Sequence, residues 1–263
     1  MPGSSKAKHP QGWEIEFFED SHKYVSYING QEISYVSGTQ FLHMFFPPFD
    51  PNGDIAKRCA AKEGVTVEEI KERWAQAGRE ATTLGTRVHE CCEDIELGKN
   101  ENELRNAPQS PKEERMFANA VKMAKRFYSQ LDILGVEKIV FSPSLQIAGT
   151  IDLLARSRKD GTYCIIDHKS NKSIDLEDKW NKLALKPIEH LHDINGTHYN
   201  LQLSLYEYLL KHEGYVPKYA KFKRILNHIT EEKAELIMLP DMQNEIKDMI
   251  IAYLIDANGW NIC

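Results

Sequence analysis

No stretch of this chain approaches the roughly 20 consecutive apolar residues that a bilayer-spanning helix needs, and no apolar signal core follows the polar opening MPGSSKAKHPQG. The expectation is a soluble, intracellular protein without a membrane partner. Cysteine is sparse and odd in number, with Cys91 and Cys92 adjacent and Cys164 inside a strand-like run. That pattern argues against a disulfide framework and fits a reducing compartment. Basic residues are outnumbered: 33 Lys and Arg against 39 Asp and Glu leave a net charge of −6. Such a chain does not hold duplex DNA through its overall charge, so any contact with nucleic acid must be built locally. Repeats and low-complexity tracts are also missing. What remains is 263 residues with 41% hydrophobic content, enough for one large domain. The Ser-, Lys-, Pro- and Gly-rich residues 1–12 read as a disordered tail, which leaves residues 13–263 as a single domain.

Periodicity and turn residues give a mixed α and β reading. Trp13 to Phe18, Lys23 to Ile28 and Glu32 to Val36 form a small antiparallel meander, with Asn29-Gly30 as a tight turn. The run SGTQFLHMFFPPFD starts a short helix that paired prolines stop. Its Phe41, Met44, Phe45 and Phe46 read as packing residues, with a wedge that separates DNA strands as the alternative. Thr66 with Glu69 opens one helix as a capping box, Thr82 or Thr83 opens another that Gly98 ends, and Ser110-Pro111 begins a third reaching about Leu131. Strands follow at about Val136 to Phe141, Leu145 to Ala155 and Thr162 to Lys169. A long polar connection, Asn171 to Asn195, leads to a helix around Gln202. Strands near Tyr219 to His228 and Ala234 to Leu239 and a last helix from about Asp241 to Ile255 complete the chain.

The chemistry concentrates in two of these strands. IAGTIDLLA carries Asp152, and CIIDHKSNK carries Asp167 with Lys169 two positions later. Alternate strand residues share a face, so Asp167 and Lys169 point together while His168 points away. The KDG turn at Lys159 to Gly161 folds the two runs into a hairpin that brings Asp152 alongside Asp167. Close carboxylates repel unless a cation lies between them, and oxygen ligands suit Mg²⁺ or Mn²⁺ better than zinc. Upstream, His89 and Glu93 share a helical face and form a plausible ligand set, while Glu90 sits about 100° around that helix. Downstream, Gln202 and Tyr206 fall together beside an apolar stripe of Leu201, Leu205 and Leu209. Each pair alone has a plainer alternative: a weak surface ion pair, an interior histidine bonded to backbone, a core tyrosine beside an exposed glutamine. Lysines 172, 179, 182 and 186 follow the second strand. Further basic groups gather at Lys218, Lys221, Lys223 and Arg224, and at Lys122, Lys125 and Arg126, and ordinary solvated faces are the alternative there.

In order, GTRVHE at Gly85 to Glu90, GTID at Gly149 to Asp152, DHK at Asp167 to Lys169 and QLSLY at Gln202 to Tyr206 resemble the PD-(D/E)XK nuclease superfamily, most nearly its RecB-like and lambda-exonuclease-like branch. The resemblance implies an αβββαβ core, a central mixed sheet flanked by helices, with the N-terminal meander and residues 13–81 as elaboration and 82–263 as nuclease core. It implies His89, Asp152, Asp167 and the backbone carbonyl of His168 as metal ligands, with Glu93 as a further candidate. Lys169 becomes the catalytic lysine, with Gln202 and Tyr206 in support. Lys172, Lys179, Lys182, Lys186 and Tyr206 are the implied nucleic-acid contacts. The expected activity is a Mg²⁺- or Mn²⁺-dependent DNA nuclease, an exonuclease acting at single-stranded or duplex ends in replication, recombination or repair, with room for an annealing or helicase partner. The alternatives are a flap or structure-specific endonuclease and a non-cleaving nucleic-acid-binding module. The histidine inside DHK and Ser170, where many relatives carry threonine, depart from the family pattern. The iron–sulfur branch needs a flanking cysteine set, and with no Cys-x-x-Cys and no trio near the C-terminus no cluster is expected.

Overall fold

The structure, a computed structural model, describes residues 3–28, 30–48, 54–177 and 181–257. Lys179, Trp180 and Asn29, which the sequence reading used, lie outside the described residues. Residues 4–8, expected in a disordered tail, form a strand instead. Ser4–Lys8 (β1) pairs antiparallel with Glu14–Phe18 (β2). Cross-strand charge explains the order: Lys6 lies 3.5 Å from Glu16 and Lys8 3.0 Å from Glu14. His9 then anchors the segment, buried between the Phe141 and Tyr215 rings and 3.1 Å from Glu213.

Lys23–Ile28 (β3) and Gln31–Ser37 (β4) complete the expected meander. Ser37 and Gln40 cap the short helix Gly38–His43 (α1) reciprocally. Asp54–Glu63 (α2) has no counterpart in the sequence reading. Two expected helices, starting at Thr66 and at Thr82 or Thr83, merge into one, Val67–Glu96 (α3), capped by Thr66 and Glu69. Between those starts lie Ala, Gln, Arg and Glu, all good helix formers, and the exposed Gly78 costs too little to break the helix. Pro111–Gln130 (α4) follows its Ser110 cap, then Leu131–Ser142 (β5), Ile147–Ser157 (β6) and Tyr163–Lys169 (β7). Asn195–His212 (α5), Phe222–Ile229 (β8), Ala234–Leu239 (β9) and Gln243–Ala257 (α6) complete the order.

Among the described residues all nine strands join one sheet in the order β1-β2-β3-β4-β6-β7-β8-β9, with β5 paired to β6. The β4/β6 and β7/β8 pairs are parallel and the rest antiparallel, so the expected mixed sheet flanked by helices is what forms. On one face α1, α5 and α6 pack with Ile147, Ile151, Leu154, Ile165 and Leu226; on the other Met123 and Phe127 of α4 meet Leu153, Cys164, Ile166 and Ile225. Among the described residues no helix is long and apolar enough to cross a membrane.

The placing of the site follows from the pairing of β6. Strand β5 occupies one edge of it from Ile147 to Ser157. The other edge meets β4 at Ile147 and Ala148, and β7 only from Leu153 to Arg156. Residues 149–152 therefore border a fork between strands. Strict alternation would put Ile151 and Leu153 on one face, yet they pack in clusters on opposite faces. The slip falls at Asp152. Opposite it Glu137 adopts φ +48°, a left-handed conformation rare for a side chain of this size.

Two glycines admit close approaches beside this fork. A Cβ on Gly85 would stand 3.2 Å from Ser170 Oγ, so α3 lies tight against the end of β7. A Cβ on Gly149 would stand 2.4 Å from Tyr206 Cε1, so the Tyr206 ring lies directly on the β6 backbone. Gly149→Ala should destabilise the fold by about 1–3 kcal/mol through overpacking, read as a lower urea midpoint. An unchanged midpoint would contradict this packing.

Candidate active site

The base of the fork is lined by Gly85, Thr86, Val88 and His89 of α3 and by His168 to Asn171, which enclose a cleft of about 290 Å³. His89 reaches across from α3, its Nε2 2.9 Å from Asp152 Oδ2 and 3.5 Å from Glu137 Oε1. Ligand atoms of His89, Glu137 and Asp152 all lie within 4.8 Å of one another. The backbone N–H of His168 donates to Asp152 Oδ2 at 2.8 Å. In an extended strand the N–H and C=O of one residue leave by the same edge, so the His168 carbonyl also faces the fork. On the neighbouring strand Lys169 Nζ is 2.6 Å from Asp167 Oδ2 and 4.7 Å from the centre of the Tyr199 ring.

Burial and charge oppose each other throughout this cluster. Burial works against ionising Asp152, but His89 beside it and Lys169 further off hold its carboxyl below the usual range. Burial also works against a charge on His89, and the Asp152 carboxylate overcomes it, lifting the imidazole to about 9. Burial, reinforced by the charge of Asp152, pushes Glu137 up to about 7. Asp167 is raised by burial against the pull of Lys169, and Lys169 is raised because Asp167 and Asp152 outweigh its own burial.

The donor set fits a divalent cation. Glu137 Oε1 is buried without a hydrogen-bond partner, its contact with His89 Nε2 at 3.5 Å being too long for one, and an ion there would satisfy it. Two carboxylates and an imidazole converge there, a set suited to a small divalent metal. His89, Glu137 and Asp152 would hold it, with the His168 carbonyl alongside.

Three expected site residues, Glu93, Asp167 and Tyr206, sit differently, and one residue of the site was not expected. Glu93, a candidate ligand, is 3.0 Å from Arg105 instead, because Arg105 also satisfies the fully buried Asp94 and draws that stretch of helix to it. Its place beside His89 is taken by Glu137, which no motif pointed to; the only sequence signal was an acid in a strand two residues after Gly135. Asp167 falls outside the close trio and joins it through Lys169 and the field of Asp152. Tyr206, expected to touch nucleic acid, is 4% exposed; its hydroxyl accepts from Gln202 Nε2 at 3.2 Å and its ring packs on Gly149. Phe41, Phe45 and Phe46 are buried, so that run packs, while Met44 is half exposed. Lys172, Lys182 and Lys186 are exposed on the connection after β7.

Asp152→Asn and Glu137→Gln should each weaken Mn²⁺ binding at least about 10-fold, since even partners behind a metal ligand are worth about 10–100-fold. Calorimetric titration of the purified variants reads this directly, and unchanged affinity in both would remove the trio from any metal site.

No curated protein matches the chain. Among solved structures it is similar to the crystal structure of SSO0001, at 16% identity over 65% of this chain and 73% of that one, with a TM-score of 0.27. The family model of the PD-(D/E)XK nuclease superfamily matches residues 58–254, from α2 to α6, which includes β5, β6 and β7 but not β4. With well over half its length matched, the chain belongs to the PD-(D/E)XK nuclease superfamily, whose members are nucleases that use divalent metals.

Proposed function

We propose that this protein is a Mg²⁺- or Mn²⁺-dependent deoxyribonuclease that hydrolyses phosphodiester bonds at DNA ends. The observation that carries the reading is the convergence of Asp152, Glu137 and His89 at the fork, with the Asp167–Lys169 pair on the adjoining strand. A divalent ion held there supplies a Lewis acid for the phosphate and a more acidic water. The protein's own groups do the rest. Without an ion Asp152 is fixed by two donors, His89 Nε2 and the His168 N–H; with His89 turned to an ion, the His168 N–H would still keep the carboxylate aimed at the fork. Lys169, held by Asp167 and kept charged, orients the attacking water or meets the negative charge that builds on phosphate. Gln202 and Tyr206 back the fork from α5.

DNA contact falls to the connection after β7. Ala184 and Ile188 are buried in the main core, and the Leu185 N–H donates to the Phe45 carbonyl at 2.8 Å, so Lys182 and Lys186 project from a pinned base. That placement favours a path for one strand leading to the cleft, and hence an enzyme that needs an end, working alone or beside a helicase or annealing protein. Residues 4–257, joined by one sheet, act as one nuclease domain in this reading.

Lys169→Ala should lower turnover about 10²–10³-fold with Mn²⁺ affinity retained, the usual cost of losing one transition-state stabiliser. Near-normal turnover would remove Lys169 from the chemistry. Linear single-stranded DNA should be degraded while a covalently closed circle of the same sequence resists. Equal digestion of both would make the enzyme an endonuclease.

A further inference from the structure

Between Asp167 and Lys169 the chain places a histidine whose side chain is only 2% exposed, paired with a glutamate that is 1% exposed. His89, Cys92 and Glu96 follow one another at three- and four-residue spacings and so share one face of α3. From that face His89 reaches Asp152, and Glu96 reaches His168 Nε2, with Oε1 at 3.1 Å and Oε2 at 3.2 Å. Asn227 of β8 closes the other side of the ring, 3.0 Å from Nδ1. The side chain of His168 is thus gripped from a helix and from the next strand, while its backbone N–H holds Asp152 Oδ2 at 2.8 Å.

We propose that Glu96 is a positioning residue for the metal site, acting through His168 to lock the end of β7 against α3, so that the His168 amide, Asp152 and the Asp167–Lys169 pair keep the spacing that binds a divalent cation. The proposal rests on the nuclease reading for its consequence in catalysis, but its geometric content stands apart from it. Burying an ion pair this completely is a poor way to gain stability, because well-packed apolar residues of similar volume serve as well or better. What an apolar pair cannot do is fix the rotation of the strand at the residue whose amide touches a metal-binding carboxylate. Groups that orient metal ligands from behind act in this way in many metal sites. The two contacts of α3, His89 on Asp152 and Glu96 on His168, are two helical turns apart and together set the register of helix against strand.

The test uses the full chain as wild type, Glu96→Gln, Glu96→Ala and the double variant Glu96→Leu/His168→Leu. Melting is followed by circular dichroism, Mn²⁺ affinity by electron paramagnetic resonance, cleavage of linear DNA by turnover, and exchange of the His168 amide by NMR. Glu96→Gln, which still accepts from the ring, should bind Mn²⁺ near the wild-type level. Glu96→Ala and the double variant should lose about 10–100-fold in Mn²⁺ affinity, with faster exchange of the backbone amide at position 168. The double variant removes both buried charges and should melt near the wild-type temperature, so it decides the matter even where Glu96→Ala fails to fold. Wild-type Mn²⁺ affinity and amide protection in the double variant would overturn the proposal. A wild-type protein that neither binds Mn²⁺ nor cuts DNA would instead overturn the nuclease reading, and the His168 amide exchange would still settle the positioning role.

Discussion

A carboxylate that must stay ionised while largely withdrawn from solvent is the constraint around which this protein is arranged. Asp152 lies at the fork where β7 and β4 leave the edge of β6 free, and water is replaced there by His89 and the His168 N–H. A desolvated carboxylate without such partners would take up a proton, and a protonated acid is a poor ligand for a divalent cation. The surrounding architecture supplies those partners from three separate elements. Helix α3 brings His89, β7 brings the amide and Lys169, and β5 brings Glu137.

Each of those placements has a visible cost. Glu137 holds a left-handed φ of +48°, a conformation that disfavours a side chain by about 1–3 kcal/mol and persists where function demands it. Strand β6 breaks its alternation at Asp152 itself, so the acid leaves the regular pleat. Gly149 gives up a side chain so that Tyr206 can lie on the backbone behind the fork. A protein selected only for stability would have smoothed out these features.

The sequence made the frame legible wherever local rules act alone. Capping residues Ser37, Thr66 and Ser110 marked helix starts that the structure keeps, and the hairpin between β6 and β7 followed from its turn. Asp152, Asp167 and Lys169 were readable because strand alternation and hairpin pairing are short-range. Glu137 was not, since its approach comes with a left-handed backbone conformation that no residue pattern announces. The strand in residues 4–8 was hidden for a related reason. Its composition is that of a tail, and its order comes from charge pairing with β2 and from His9 meeting Glu213, 204 residues away. Glu93 illustrates the opposite error, in which correct helical spacing from His89 was overridden by the need of Arg105 for a second acid.

Whether a divalent cation binds where His89, Glu137 and Asp152 converge is read from an anomalous difference map of crystals grown with Mn²⁺, collected near the manganese edge. A single strong peak is expected at about 2.0–2.4 Å from Asp152 and Glu137 oxygens, the range of such bonds. A peak elsewhere, or none at the fork under saturating Mn²⁺, would take the metal away from these three residues.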